Sequence, residues 1–184
     1  CGADDVTFVT AAIDIGRRHG DVSFVDDYME NLKHILGLGC KVVVHVQEEH
    51  VHLLEGHVHA NALLRVKGHE DLRAFPHFEG VEAIRTSTAW LGYGMRYNPA
   101  KMPLYNALVM SKLYWLAEVA EENPFSTPNF LWIDAGLCVR FVKPPLDLSA
   151  LRPSFDRFVA FSMHHEYADE GADVHGFPRS AHER

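Results

Sequence analysis

The chain alternates short runs of apolar residues with longer amphipathic segments. Runs of mainly apolar and β-branched residues lie at residues 6–13, 41–46, 129–134 and 157–163, and a shorter one lies at 61–66. Runs of this length without polar alternation are typical of strands buried on both faces of a parallel sheet. The pattern therefore predicts four such strands and a fifth, shorter one.

Between these runs, apolar residues recur at helical spacing. Phe24, Tyr28, Leu32 and Ile35 are three or four residues apart, which predicts an amphipathic helix over residues 24–38. The longest helix is predicted over 102–122, and shorter helical segments are predicted over 47–56, 68–75 and 81–93. Strands that alternate with helices predict an α/β fold with a mainly parallel, Rossmann-like sheet and helices on both faces.

One cation falls on the apolar face of the helix predicted over 102–122. Lys112 comes four residues after Leu108 and four before Leu116, and Ser111 lies beside it. A lysine at such a position either extends its ammonium group to water along the apolar surface or pairs with an anion. The sequence leaves both alternatives open.

Composition restricts the function classes. The 184 residues fit one domain over 1–163, followed by a polar segment over 164–184. A net charge of −8 does not favour a nucleic-acid partner. No apolar stretch approaches the roughly 20 residues of a membrane span. The three cysteines lie far apart and have no metal-binding spacing.

Polar residues follow two of the predicted strands directly. Asp134 ends the run Phe130-Leu131-Trp132-Ile133, and the small residues Ala135 and Gly136 come next. Asp14, Gly16 and Arg17 follow the first strand. In parallel sheets, ligands bind beyond the carboxyl ends of the strands, so both groups are expected at one edge. A plain polar turn and an Asp that caps a strand end are the alternative interpretations.

These residue types suit an anionic ligand. An Asp carboxylate is a hard oxygen ligand for a divalent cation, and Arg and Lys pair with phosphate. A cation together with Lys112 would hold a diphosphate and stabilise it as a leaving group. We therefore expect transfer from a nucleotide-activated donor.

The same residues resemble a known family. Residues 10–17 (TAAIDIGR) are similar to the opening "T-A-x-x-D-I-G-R" of the HtrL/YibB family. Ser111-Lys112, Asn123-Pro124-Phe125 and residues 130–136 (FLWIDAG) resemble its "S-K", "N-P-F" and "F-x-W-I-D-A-G", in the same order. The resemblance covers roughly residues 6–139, and the combination is more specific than any single piece.

This family is linked to lipopolysaccharide core biosynthesis and is similar to GT-A glycosyltransferases. The resemblance implies a nucleotide-sugar donor, a glycan or lipopolysaccharide-type acceptor, Mn²⁺ or Mg²⁺, and hexosyltransferase-type catalysis in polysaccharide biosynthesis. It implies Asp134 as the catalytic and metal-binding residue. Separately, His164 and His165 follow the last predicted strand and are further metal candidates, because they could approach the sheet edge near Asp134. The implied donor-binding residues are Ala11, Ala12, Asp14, Gly16, Arg17, Ser111, Lys112 and Gly136.

Two departures from the GT-A pattern bear on catalysis. The usual metal motif is Asp-x-Asp, but its third position here is Gly136. The chain also stops at Arg184 in polar sequence, which predicts a fragment or a reduced domain without an acceptor-binding half. Both departures support a rival expectation, a non-catalytic domain that keeps the fold and binds nucleotide or glycan. The compartment stays open between the bacterial cytoplasm and, with an upstream anchor, the Golgi lumen.

Histidines give a third hypothesis. Five of the 13 histidines fall between residues 45 and 59, and two pairs have the spacing His-x-His. On a strand, such a pair would point both rings to one side and could hold a zinc ion. A solvated, His-rich connection is the alternative.

Overall fold

Four strands form one parallel sheet in the computed structural model, which describes residues 5–16, 23–90 and 102–136. The strands are β1 (Val6–Ala12), β2 (Val42–Val46), β3 (Ala62–Val66) and β4 (Asn129–Trp132). Valine supplies four of the five residues of β2 and two of the seven of β1, and its branched side chain packs well on a pleated surface. The predicted α/β class with a parallel sheet is confirmed.

The strand order is β3-β2-β1-β4, and every neighbouring pair is parallel. Phe8 of β1 lies opposite Val42 on one side and Leu131 on the other. The crossover from β1 to β2 and the return from β3 to β4 run in opposite directions along the sheet. Right-handed connections therefore put the helices of these two crossovers on opposite faces. The order equals the first four strands of the Rossmann arrangement, in which ligands bind where the order reverses.

The helices agree broadly with the predicted pattern. Residues 24–38 are helical, but the first part is a π-helix (Phe24–Met29) that continues into α1 (Glu30–Gly37). Ser23 caps it: its Oγ accepts a hydrogen bond from the Asp26 amide, and its own amide donates to Asp27. The remaining helical elements are two 3₁₀ helices (Glu48–Leu53 and Glu55–His57), α2 (His69–Arg73), α3 (Phe78–Arg85) and α4 (Tyr105–Glu122).

Helix α4 packs along one face of the sheet. Val119 joins Val9 and Val43 in one buried cluster, and Trp115 joins Ile13 in another. The opposite face is also buried, at Phe8 and Val42 among others. This arrangement is the two-sided covering that a parallel sheet requires.

The buried stripe of α4 differs from the prediction. The residues buried against the sheet are Ala107, Ser111, Trp115 and Val119, at a spacing of four. The centre of the stripe therefore passes through Ser111, and Lys112 lies beside it, partly exposed. The small Ser111 lets the helix approach the sheet, while Lys112 is directed along its edge.

The prediction for β4 was wrong in one respect. Residues 129–134 were expected to form a strand buried on both faces, but β4 ends at Trp132 and all four of its residues are only half-buried. In the described sheet, β4 lies at one edge, with β1 as its hydrogen-bonded neighbour. An apolar run alone does not distinguish an edge strand from a central one.

The predicted strand at 157–163, the boundary at residue 163 and the segment 164–184 lie outside the described residues. They remain predictions. None of the helices that the structure describes is long and apolar enough to cross a membrane.

Candidate functional site

Two loops meet at the carboxyl edge of the sheet, one after β1 and one after β4. Val9 and Trp132 are partners in the parallel ladder, so the ends of these strands lie side by side. The Ile133 amide donates to the Val9 carbonyl at 2.9 Å, which extends the pairing by one residue. Asp14 and Asp134 are thereby brought to the same edge, as the sequence predicted.

A pocket of about 370 Å³ opens at this edge. Its size falls within the range of about 300–1,000 Å³ that is usual for small-molecule sites. Helix α4 forms one wall and the π-helix forms the opposite wall, while the ends of β1 and β4 lie between them. The lining residues are Ala11, Ala12, Ile13, Asp14, Ile15, Phe24, Tyr28, Tyr105, Leu108, Val109, Lys112, Trp132, Asp134 and Gly136.

The α4 wall carries an ion pair. Lys112 Nζ donates to Asp134 Oδ2 at 2.6 Å and lies 5.9 Å from the centre of the Trp132 ring. Of the two alternatives that the sequence left open for Lys112, the structure shows the pairing with an anion, Asp134, at the sheet edge. The side chains are 24% and 50% exposed, so solvent screens the pair and a ligand can reach both charges.

The loop after β1 is held by its own hydrogen bonds. Asp14 Oδ1 accepts a hydrogen bond from the Gly16 amide at 2.8 Å, an Asx-type turn. Gly16 has φ of +75°, a conformation that glycine adopts without strain. The Asp14 amide donates to the side chain of Gln47, and the His69 ring contacts the Asp14 carbonyl at 2.7 Å. This carboxylate therefore shapes the turn.

The structure brings most of the predicted donor-binding residues into one pocket. Those that line it are Ala11, Ala12, Asp14, Lys112 and Gly136, and Asp134, predicted as the catalytic and metal-binding residue, lines it as well. Ser111 is buried on the sheet-facing side of α4, and Gly16 is exposed on the loop after β1. Neither of them lines the pocket. Arg17, His164 and His165 lie outside the described residues. The roles assigned to all of these residues remain predictions.

Sequence reasoning missed the aromatic wall. Phe24 and Tyr28 line the pocket with stacked rings, 5.6 Å between centroids and 18° between planes. Their spacing of four residues indicated only a core-facing helical stripe. Both residues belong to the π-helix, and π-turns are frequent at functional sites. We find no local sequence signal for this turn.

Gly136 lies directly against this wall. A Cβ atom built on Gly136 would lie 3.3 Å from Tyr28 Cε1 and 3.7 Å from its hydroxyl oxygen. The first distance is tighter than ordinary van der Waals contact. The ring of Tyr28 therefore occupies the space that a side chain at position 136 would need.

The described side chains of the pocket suit a divalent cation only if a phosphate ligand binds together with it. Among residues 5–16, 23–90 and 102–136, no three His, Cys, Asp or Glu side chains are close enough to hold a metal ion. Asp134 supplies one partly exposed carboxylate. Mg²⁺ often binds through one or two carboxylates with substrate phosphates completing its shell. The described donors fit a cation that binds together with a phosphate ligand.

The described histidines of the His-rich stretch serve separate contacts. His45 is fully buried in β2 with its ring 5.2 Å from that of Trp115. His50 lies 4.9 Å from the Phe24 ring, and His59 contacts the Leu36 carbonyl at 3.0 Å. Burial, together with the positive charges of Lys67 and Arg65, lowers the pKa of His45 to about 3. Neither ring nitrogen of His45 has a hydrogen-bond partner in the described structure.

Comparison with known proteins returns one family. Residues 81–155 match HtrL_YibB, described as "Bacterial protein of unknown function". No curated protein and no solved structure matches the chain. The matched range includes α4, β4 and the Lys112–Asp134 pair. Over residues 81–155, therefore, the chain is similar to the HtrL/YibB family, as its motifs indicated.

Proposed function

We propose that the pocket binds the diphosphate of a nucleotide sugar and that the protein transfers the sugar to a glycan acceptor. The observation that carries the proposal is the Lys112–Asp134 pair, at the edge where the β1 and β4 ends meet. Open α/β sheets bind ligands at such an edge. A pocket with an ammonium group on one wall and aromatic rings on the other suits a ligand with an anionic part and a flat part.

The charges support a division of roles. Lys112 binds a phosphate oxygen, and Asp134 holds Mn²⁺ or Mg²⁺ jointly with the diphosphate. When bound, the cation neutralises charge that develops on the leaving diphosphate. The end of β1 at Ala11 and Ala12 and the following loop at Asp14 position the donor through the backbone, and Arg17 is a second cation of the donor site in addition to Lys112.

The transfer step follows from this arrangement. An acceptor hydroxyl oxygen bonds to the anomeric carbon of the sugar while the bond from that carbon to the diphosphate oxygen breaks. The diphosphate leaves with the electron pair of the broken bond, and the hydroxyl proton passes to a base. The family resemblance supports a glycan or lipopolysaccharide-type acceptor.

A non-catalytic, nucleotide-binding domain is the second candidate. The small number of acidic residues favours it, because Asp14 and Asp134 are the only acidic residues among the described residues that line the pocket. The Asp14 carboxylate accepts a hydrogen bond within its own turn, and the Asp134 carboxylate is paired with Lys112. Neither is set up as an unencumbered base for an acceptor hydroxyl.

A thermal-shift screen of nucleotide sugars, with and without Mn²⁺, tests donor binding. A ligand that binds the native state stabilises it by RT ln(1 + [L]/Kd), so a true donor raises the melting temperature as its concentration rises. Product analysis with the best ligand then separates the two candidates. Binding without transfer or donor hydrolysis supports the non-catalytic domain, and the absence of any nucleotide-sugar binding overturns both.

A further inference from the structure

Tyr28 stands where the Asp-x-Asp pattern would place a second acid. The motif begins at Asp134, so its third position is Gly136, and the Tyr28 ring lies 3.3 Å from the Cβ position of that residue. A side chain there would require the ring to shift by a few tenths of an ångström. Gly136 and Tyr28 are therefore a matched pair, in the sense that glycine lets the ring approach this closely.

The two walls of the pocket differ in chemistry. The α4 wall presents the ammonium group of Lys112, whereas the π-helix wall presents the rings of Phe24 and Tyr28. Phe24 lies between Tyr28 and the His50 ring, with ring contacts of 5.6 and 4.9 Å, so the wall is supported from behind. An anionic group is attracted to the first wall, and a flat apolar group fits the second.

We propose that Tyr28, backed by Phe24, is a nucleotide-binding residue that contacts the base of a bound nucleotide. This inference rests on the proposed function, since it assigns one end of the same ligand. With the diphosphate at Lys112, the base reaches the aromatic wall. Every nucleobase has a π-face, and stacking on an aromatic side chain is a general way to bind one.

Five probes separate the parts of the ligand. UDP, GDP and ADP carry a base and a diphosphate, UDP-glucose carries a sugar as well, and inorganic pyrophosphate carries only the anion. Their affinities are measured by calorimetry for the parent and for Tyr28→Ala, Tyr28→Phe and Lys112→Met. Circular dichroism and melting curves confirm that each variant is folded.

We expect Tyr28→Ala to weaken the best nucleotide by about ten- to a hundredfold, which is the usual effect of removing one stacking ring. Pyrophosphate affinity should be unchanged in that variant, and Tyr28→Phe should retain nucleotide binding because the ring remains. Lys112→Met should weaken nucleotide and pyrophosphate alike. This pattern assigns the base to the aromatic wall and the diphosphate to α4.

Gly136→Ala tests the matched pair from the other side. The added methyl group should displace the Tyr28 ring and weaken nucleotide binding in the parent background. In the Tyr28→Ala background it should have little further effect, because the ring is already absent. Such non-additivity is the mark of two residues that act through one contact.

Several results would overturn the proposal. Unchanged nucleotide affinity in Tyr28→Ala would show that the base does not contact this wall. Equal losses for nucleotide and pyrophosphate would show that Tyr28 only maintains the shape of the pocket. A loss for UDP-glucose but not for UDP would assign the wall to the sugar. If the parent binds none of the nucleotides, the proposed function itself fails, which is a separate result from a failure of Tyr28→Ala.

Discussion

Lys112 Nζ lies 2.6 Å from Asp134 Oδ2, although 22 residues separate the two in the chain. The contact joins the middle of α4 to the loop after β4 and puts one charge of each sign at the mouth of the pocket. Because both side chains are partly exposed, the pair contributes only about 0–1 kcal/mol to stability. Its charges are thus more important for a ligand than for the fold.

Lys112→Met tests the role of the ammonium group. Met keeps much of the length and the apolar stem but removes the charge, so we expect the affinity for a nucleotide sugar to fall about tenfold or more, since charge-assisted bonds are the strong ones. The melting temperature without ligand should change little. Titration calorimetry with the nucleotide sugar found by the screen measures the effect.

Lys33→Met is the matched control for this substitution. Lys33 pairs with Glu30 at 2.5 Å on α1, and neither residue lines the pocket. This variant also loses one positive charge and one ion pair, but it should bind the nucleotide sugar like the parent. Equal affinity losses in both variants would mean that net charge alone is responsible, and an unchanged affinity in Lys112→Met would leave the lysine without a role in binding.

Asp134→Asn tests the dependence on a divalent cation. The substitution keeps the shape of the side chain and removes the charge that a hard cation prefers. The extra melting-temperature rise that Mn²⁺ gives with a nucleotide sugar should disappear, together with any sugar transfer or donor hydrolysis. Thermal shift with and without Mn²⁺ reports the first effect independently of activity.

Asp26→Asn serves as the control for Asp134→Asn. Asp26 is an exposed acid on the π-helix and does not line the pocket. Its Mn²⁺ response should equal that of the parent. A full Mn²⁺ response in Asp134→Asn would place the cation at other residues.

The sequence predicted the strand-end part of the site because position along a parallel strand has a simple consequence. Asp14 and Asp134 each follow an apolar run, and in parallel pairing those ends meet at one edge. Lys112 was recognisable because a charge beside an apolar stripe needs a partner. These are local patterns with one structural outcome.

The aromatic wall depends on information that no local pattern carries. Phe24 and Tyr28 fit an ordinary amphipathic helix as well as a π-helix, and their spacing does not show that the two rings line a pocket. The half-buried state of β4 likewise depends on which strands lie beside it, not on its own apolar residues. Both features arise from tertiary packing, which overrides intrinsic strand and helix preferences.

The buried state of His45 predicts that the protein becomes less stable as the pH is lowered below neutrality. Its pKa is lowered to about 3 in the folded protein, mainly by burial, whereas an unfolded histidine titrates near 6.5. Between these values the unfolded chain binds one more proton than the folded chain. The free energy of unfolding should therefore decrease as pH falls through this window, by about 1.4 kcal/mol per pH unit from this residue alone.

Urea unfolding at a series of pH values measures that slope. The interval between pH 6.5 and 5 is the most informative, because there most carboxylates still keep their charge and His45 is protonated only in the unfolded chain. Over this interval the residue should account for a loss of about 2 kcal/mol. A free energy of unfolding that stays constant from pH 6.5 to 5 would contradict the buried, neutral state of His45.

Replacing His45 by Leu should remove both this pH dependence and the free-energy cost of burying two unpaired ring nitrogens. The two ring nitrogens are buried without hydrogen-bond partners in the described structure, and each unsatisfied polar group costs about 1–3 kcal/mol. Leucine has a similar volume and can pack against Trp115, so the free energy of unfolding at pH 7 should rise by about 1 kcal/mol or more. It should then vary less between pH 6.5 and 5 than in the parent.

His52→Gln is the control, because His52 is exposed in its 3₁₀ helix and its replacement should alter neither the stability nor the slope. A His45→Leu variant that is destabilised but keeps the pH slope of the parent would contradict this prediction. It would show that His45 has a hydrogen-bond partner in the folded protein and that the slope arises from other groups.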